Sequence, residues 1–141
     1  MGIPFRVWEH EVPEGVSLEP LDRFVGRTGV TITHTDVSTI DIRLFRIPDR
    51  VAIFSVTGIS PGLGVLGPIF DTLQTDGRWA PDNDIGYNFR YLITQAALLA
   101  QSATLLSGAR YRVEIIVHTT TWEDLVSVHE YTILSTHSIP T

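Results

Sequence analysis

The densest set of metal-competent side chains is Asp82-Asn83-Asp84-Ile85-Gly86, with Asp76 and Asn88 close by in sequence. Oxygen donors at alternating positions suit calcium, which takes about six to eight of them. Asp82 and Asp84 are the expected ligands if calcium binds. No glutamate closes the loop at the EF-hand distance, so the competing reading is an acidic turn held by Asx bonds. Gly62-Leu63-Gly64-Val65-Leu66-Gly67 spells the GxGxxG of dinucleotide sites. In those sites the glycines lead into a helix that holds the pyrophosphate. Here Pro68 follows and no βαβ pattern surrounds the motif, so an apolar interface loop is expected instead.

Other chemistries lack their residues. His10, His34, His118, His129 and His137 show neither HxH nor HExxH spacing, so zinc is not expected. With no cysteine there is no thiolate nucleophile and no disulfide. No GxSxG elbow is present. Two carboxylates such as Asp41 and Glu114 could meet across strands, but solvent-facing strand carboxylates explain them without catalysis. The expectation is a protein that is not an enzyme and has no cofactor beyond a possible calcium.

The elements that would carry these residues are short and extended. At 141 residues the chain fits one domain. Residues 1–26 differ from the rest. Pro4, Pro13 and Pro20 exclude a helix, yet Phe5, Val7, Trp8, Val12, Val16, Leu18 and Phe24 are apolar. This reads as an extended arm whose anchors, Phe5 and Trp8 among them, dock on a neighbouring subunit or on the chain's own sheet. Residues 27–141 then form the main domain. Strands are expected over 28–35, 37–47, 50–57, 69–73, 87–94, 110–119 and 125–135. Residues 50–57 are apolar on both parities, which predicts cover on both faces. Residues 94–107 have helical character and read as an irregular crossover with one or two helical turns, capped by Thr94. In the last strand Val126 and Val128 share one parity while Tyr131 and Ile133 share the other. A β-bulge near His129-Glu130 would reconcile them. Many short strands without βαβ alternation define an all-β sandwich or barrel.

Residues 105–117 sharpen that class. Leu105, Gly108, Tyr111, Val113 and Ile115 give a leucine, a glycine turn, a tyrosine and then alternating apolar residues. This resembles immunoglobulin-like and fibronectin type III domains. The resemblance implies an immunoglobulin-like antiparallel β-sandwich, with an extended N-terminal arm and one short helical crossover. It also implies a structural corner at Leu105, Gly108 and Tyr111, with the tyrosine hydroxyl bonded back to backbone. The third strand lacks the tryptophan of antibody domains, and the cysteine pair is missing.

Composition points to partners of one kind. A net charge of −6 repels phosphate backbones, so nucleic acid is not an expected partner. Charged residues are only 18% of the chain and all ten basic residues are arginine. Arginine suits interfaces, although biased genome composition explains it equally well. No secretory signal and no membrane span is read from the sequence, so a cytoplasmic or virion location is expected. Exposed Leu63 and Leu66, together with the hairpin-tip Trp122, are the expected partner contacts. The expected function is that of a structural or interaction protein in a larger homo-oligomeric assembly. The chain resembles by type the domains that decorate or build bacteriophage heads and tails. The alternative is a carbohydrate- or ligand-binding module using Trp79 and Trp122, assisted by calcium at Asp82 and Asp84.

Overall fold

The computed structural model describes residues 6–26, 28–76 and 86–135. Phe5, Trp79, Asp82 and Asp84 lie outside the described residues. In chain order come β1 (Arg6–Pro13), β2 (Leu21–Asp22), β3 (Val37–Ile47), β4 (Val51–Ile59), β5 (Ile69–Gln74), β6 (Tyr87–Arg90), α1 (Gln95–Ala100), β7 (Arg110–Thr119) and β8 (Leu125–Leu134). They form a five-stranded sheet ordered β1-β8-β7-β3-β4 and a three-stranded sheet ordered β2-β6-β5. The fold is all-β with one short helix, as the strand patterns predict.

Period-two alternation builds the core. Ile40, Ile42 and Leu44 of β3 and Val113, Ile115 and Val117 of β7 are wholly buried. They pack in one cluster with Leu18, Phe24, Ile69, Phe89, Ile93 and Leu98 from the other side. Each such side chain contributes about 1.5–3 kcal/mol by leaving water. The helix follows its sequence signals closely. Thr94 Oγ1 accepts the N–H of Ala97 at 3.1 Å, and the helix stops after one and a half turns.

Four expectations are corrected. The large sheet is not antiparallel throughout, because β1 runs parallel to β8, with Trp8 beside His129 and Val12 beside Ile133. With Leu18 and Phe24 in the core, residues 6–26 are built into the chain's own fold. Second, residues 28–35 are not a strand. Ile32 N–H bonds Phe24 O, and the buried Asn88 amide holds Phe24 N–H, Phe24 O and Ile32 O. The segment thus folds onto itself, and residues His34–Asp36 form a 3₁₀ turn. A local bond from Asp36 to Thr33 and a distant one from Asp71 to His34 outcompete the β propensity of the threonines.

Third, β4 is not covered on both faces. It is the outer strand of its sheet, and Phe54 is its one buried residue. Fourth, no bulge interrupts β8 at His129. Its register with β7 is continuous from Leu125 to Thr132. The strand keeps one parity, and Ser127, His129, Tyr131 and Ile133 lie opposite or beside the inward residues of β7. The apparent slip arises because two of those inward positions are polar.

Candidate interaction surface

At the corner before β7, Tyr111 is buried and its hydroxyl is doubly used. It accepts the Leu106 N–H at 2.8 Å and donates to Thr104 O at 3.3 Å. Gly108 sits at φ 82°, where a side chain would be strained, and its N–H bonds Ile133 O. Leu105 is buried beside them. The corner fixes how β7 leaves the crossover.

The polar inward residues of β8 form a set that sequence patterning does not reveal. Ser127 Oγ donates to Asp22 Oδ2, and His129 Nε2 lies 3.3 Å from the same oxygen. His129 Nδ1 lies 2.9 Å from His10 Nε2 on β1. The bonds of the row are satisfied when His129 donates Nε2–H to Asp22 and accepts Nε2–H of His10. Trp8 stacks on His129 and Tyr131 on His10 within this row. The residue types match a Ser-His-Asp triad, but the order of bonds does not. Both bonds go to the aspartate, so the histidine does not reach the serine, and Ser127, His129 and Asp22 are all buried. The row instead ties β2, β8 and β1 together across the layers. Burial is the chief cause that lowers the His10 pKa to about 4, so its ring is neutral at pH 7. Burial also raises the Tyr131 phenol well above its usual range.

The other cluster lies where the strands turn. The register of Val37 with Thr119 and of Ile40 with Ile59 brings three segments to one end: Gly26 with residues 28–36, residues 120–124 and the start of 60–68. Contacts link all three. Thr120 N–H bonds Asp36 O at 2.9 Å. The Trp122 ring lies over Gly26 so closely that a Cβ there would stand 2.7 Å from it. His34 donates its N–H to Asp71 Oδ1 at 2.7 Å, and its Nδ1 lies 2.8 Å from Oδ2. The His34 N–H is the chief reason the Asp71 carboxyl titrates low. Asp71 N–H in turn bonds Gly64 O, and its carboxylate occupies the space that a Gly64 side chain would need.

His118 stands on the outer face of the same end. Its Nε2 is 2.8 Å from Asp41 and its Nδ1 is 2.9 Å from Asp124. Carboxylates on both nitrogens make both ring nitrogens donors, which is the imidazolium form. The bond to Asp41, then that to Asp124, raises the His118 pKa. The bond from His118 and the N–H of Gly58 lower that of Asp41. Asp41 is therefore committed to His118, while Glu114 pairs with Arg112 at 3.2 Å. No group of three or more metal-ligating side chains is found among the described residues.

The loop 60–68 presents its apolar residues outward. Leu63, Val65 and Leu66 are 84%, 75% and 84% exposed. Their backbone is nevertheless pinned. Gly62 N–H bonds Ser60 Oγ, Ile69 N–H bonds Pro61 O, and Gly64 bridges Phe70. Gly62, Gly64 and Gly67 all have positive φ, and a Cβ at Gly62 would stand 2.5 Å from Gly67 O. The GxGxxG spacing thus serves a tight turn of backbone on backbone.

Of the other expected contacts, Trp8 is half-buried and stacked on His129 at 6.1 Å. Trp122 folds back over Gly26 and packs on the core rather than projecting from the hairpin tip. No described helix is long and apolar enough to cross a membrane. No family model matches the chain, and neither a curated protein nor a solved structure gives a match.

Proposed function

We propose that this chain is a non-enzymatic interaction protein. In this reading an immunoglobulin-like β-sandwich associates with further copies of itself in a larger assembly, such as the head decoration or tail of a phage virion. The strand order supports the fold reading. Strands β8-β7-β3-β4 follow the G-F-C-C′ order of a variable-type sheet, and β2-β6-β5 follows B-E-D. The bonds of Tyr111 match the corner of the same family.

The observation that carries the functional reading is the loop 60–68. Leu63, Val65 and Leu66 stand in water on a backbone held by the bonds of Gly62 N–H to Ser60 Oγ, Ile69 N–H to Pro61 O and Asp71 N–H to Gly64 O. An apolar tip that is already rigid loses little entropy on docking. Grouped exposure of this kind marks association surfaces on soluble proteins. The carbohydrate reading gains no support from the described residues, since Trp122 packs inward and Trp79, Asp82 and Asp84 lie outside them.

Sedimentation velocity across a hundredfold range of concentration tests the proposal. The native chain is expected to associate as concentration rises, and Leu63→Asp with Leu66→Asp to remain monomeric and folded. A native chain that sediments as a monomer at every concentration sinks it.

A further inference from the structure

We propose that Gln101 is a plug that keeps the outer strand β4 from pairing with β4 of a second copy. The inference stands apart from the loop reading above.

An outer strand carries a row of outward N–H and C=O groups that can template another strand. The two outer strands of the large sheet differ in how they meet this. Strand β1 carries exposed Glu9 and Glu11. Strand β4 reads Val-Ala-Ile-Phe-Ser-Val-Thr-Gly-Ile and has no charge over its nine residues. Uncharged, proline-free segments rich in β-branched and aromatic residues are those that self-pair. Its longest regular register against β3 runs over 54–56, with irregularities on either side.

The centre of that regular stretch, and of the whole strand, is Ser55. Antiparallel pairing alternates, so a residue directs both its backbone groups to the same side. Those of Ser55 point away from β3 and are taken by one side chain. Ser55 N–H donates to Gln101 Oε1 at 3.0 Å, and Gln101 Nε2 donates to Ser55 O at 2.7 Å. A neighbouring antiparallel strand would offer Ser55 the same pair of bonds, and a primary amide reproduces the donor and acceptor of a peptide group. Gln101 is fixed at the end of α1, where its own N–H bonds Leu98 O and Leu99 O.

The strand this plug excludes is a second β4. A two-fold axis through Ser55 sets Ser55 against Ser55, Val51 against Ile59 and Ile53 against Thr57, with no like charges opposed. Gln101 occupies the central pair of bonds of such a dimer.

The test is sedimentation velocity of Gln101→Ala in the Leu63→Asp, Leu66→Asp chain, so that the loop contributes nothing. Removing the plug is expected to tighten self-association at least tenfold, and Ser55 amide exchange should slow as concentration rises. Gln101→Glu, which accepts from Ser55 N–H but cannot donate to Ser55 O, should fall between, and it carries the test if the alanine variant does not fold. Adding Thr57→Lys puts a charge on the edge and should restore the monomer. The proposal is overturned if folded Gln101→Ala associates no more than its parent, or if Thr57→Lys leaves the new association unchanged.

Discussion

Residues 104–111 and 60–71 are built by the same means and face opposite ways. Each is a tight turn with a glycine at positive φ, closed by one residue: Tyr111 through its hydroxyl in the first, Asp71 through its backbone N–H on Gly64 O in the second. At the corner the rigidity is directed inward, so that Leu105 and Tyr111 are buried. At the loop it is directed outward, so that Leu63, Val65 and Leu66 are not. Fixing a backbone costs about 1–2 kcal/mol per residue. Burial offsets that cost at the corner. At the loop only the Asp71 side has buried neighbours, and the apolar tip returns nothing to an isolated chain.

Breaking the corner should therefore cost most. Tyr111→Ala is expected to destabilise by about 3–5 kcal/mol in urea unfolding, from the lost ring and the cavity. Tyr111→Phe keeps the ring but strands the Leu106 N–H, at about 1–3 kcal/mol. Equal losses for the two would show that the hydroxyl, not the packing, holds the corner.

Breaking the loop backbone should cost less. Gly64→Ala forces a methyl into the Asp71 carboxylate at φ 87°, which costs about 1–3 kcal/mol. Asp71 must move, so the His34 amide should exchange faster in the same variant. If Gly64→Ala is as stable as the native chain, the loop is not pinned and the comparison fails.

The smallest effects separate an inward histidine from an outward one by the sign of their pH dependence. His10 has its folded pKa lowered to about 4. Between about 6.5 and 4 the unfolded chain takes up a proton that the folded chain refuses. Stability is thus complete above that window and falls as pH drops through it. Because His10 is only partly buried, the loss is about 1–2 kcal/mol after solvent screening. His118 runs the other way. Its raised pKa contributes stability that is full below about 6.5 and is lost as pH rises through the folded value. Asp41, lowered, contributes above about 3.8 and loses its part on acidification. Urea midpoints measured at stepped pH should flatten on the acid side in His10→Asn and on the alkaline side in His118→Gln.

What the sequence made legible depended on how far apart partners stand. The bonds of Tyr111 span five and seven residues, and the alternation of β3 and β7 is a property of each strand alone. Both can be read from a short window. Asp22 and His129 are separated by 107 residues, and neither carries a local mark of the other. Polar residues at inward positions of β8 therefore imitate a bulge, when the cause is a partner in the opposite layer. Strand β4 fails for a related reason. Its pattern records which residues are apolar, but whether a neighbour covers them is decided by the order of the strands. At 28–35 a good β pattern loses to side-chain bonds from Asp36, Asp71 and Asn88, two of them distant in sequence.

The parallel pairing of β1 with β8 also fixes an order of events in folding. Arg6 lies beside Ser127, 121 positions later in the chain (127 minus 6). During synthesis from the N-terminus, β1 leaves the ribosome long before its neighbour exists. Until then it has no β8 to pair with, whereas β3 and β4 are consecutive in the chain. Only the arrival of β8 gives it an edge to join and brings His129 within reach of His10. Closing so long a loop is slow compared with forming a hairpin. The oldest strand of the sheet is thus among the last to be seated.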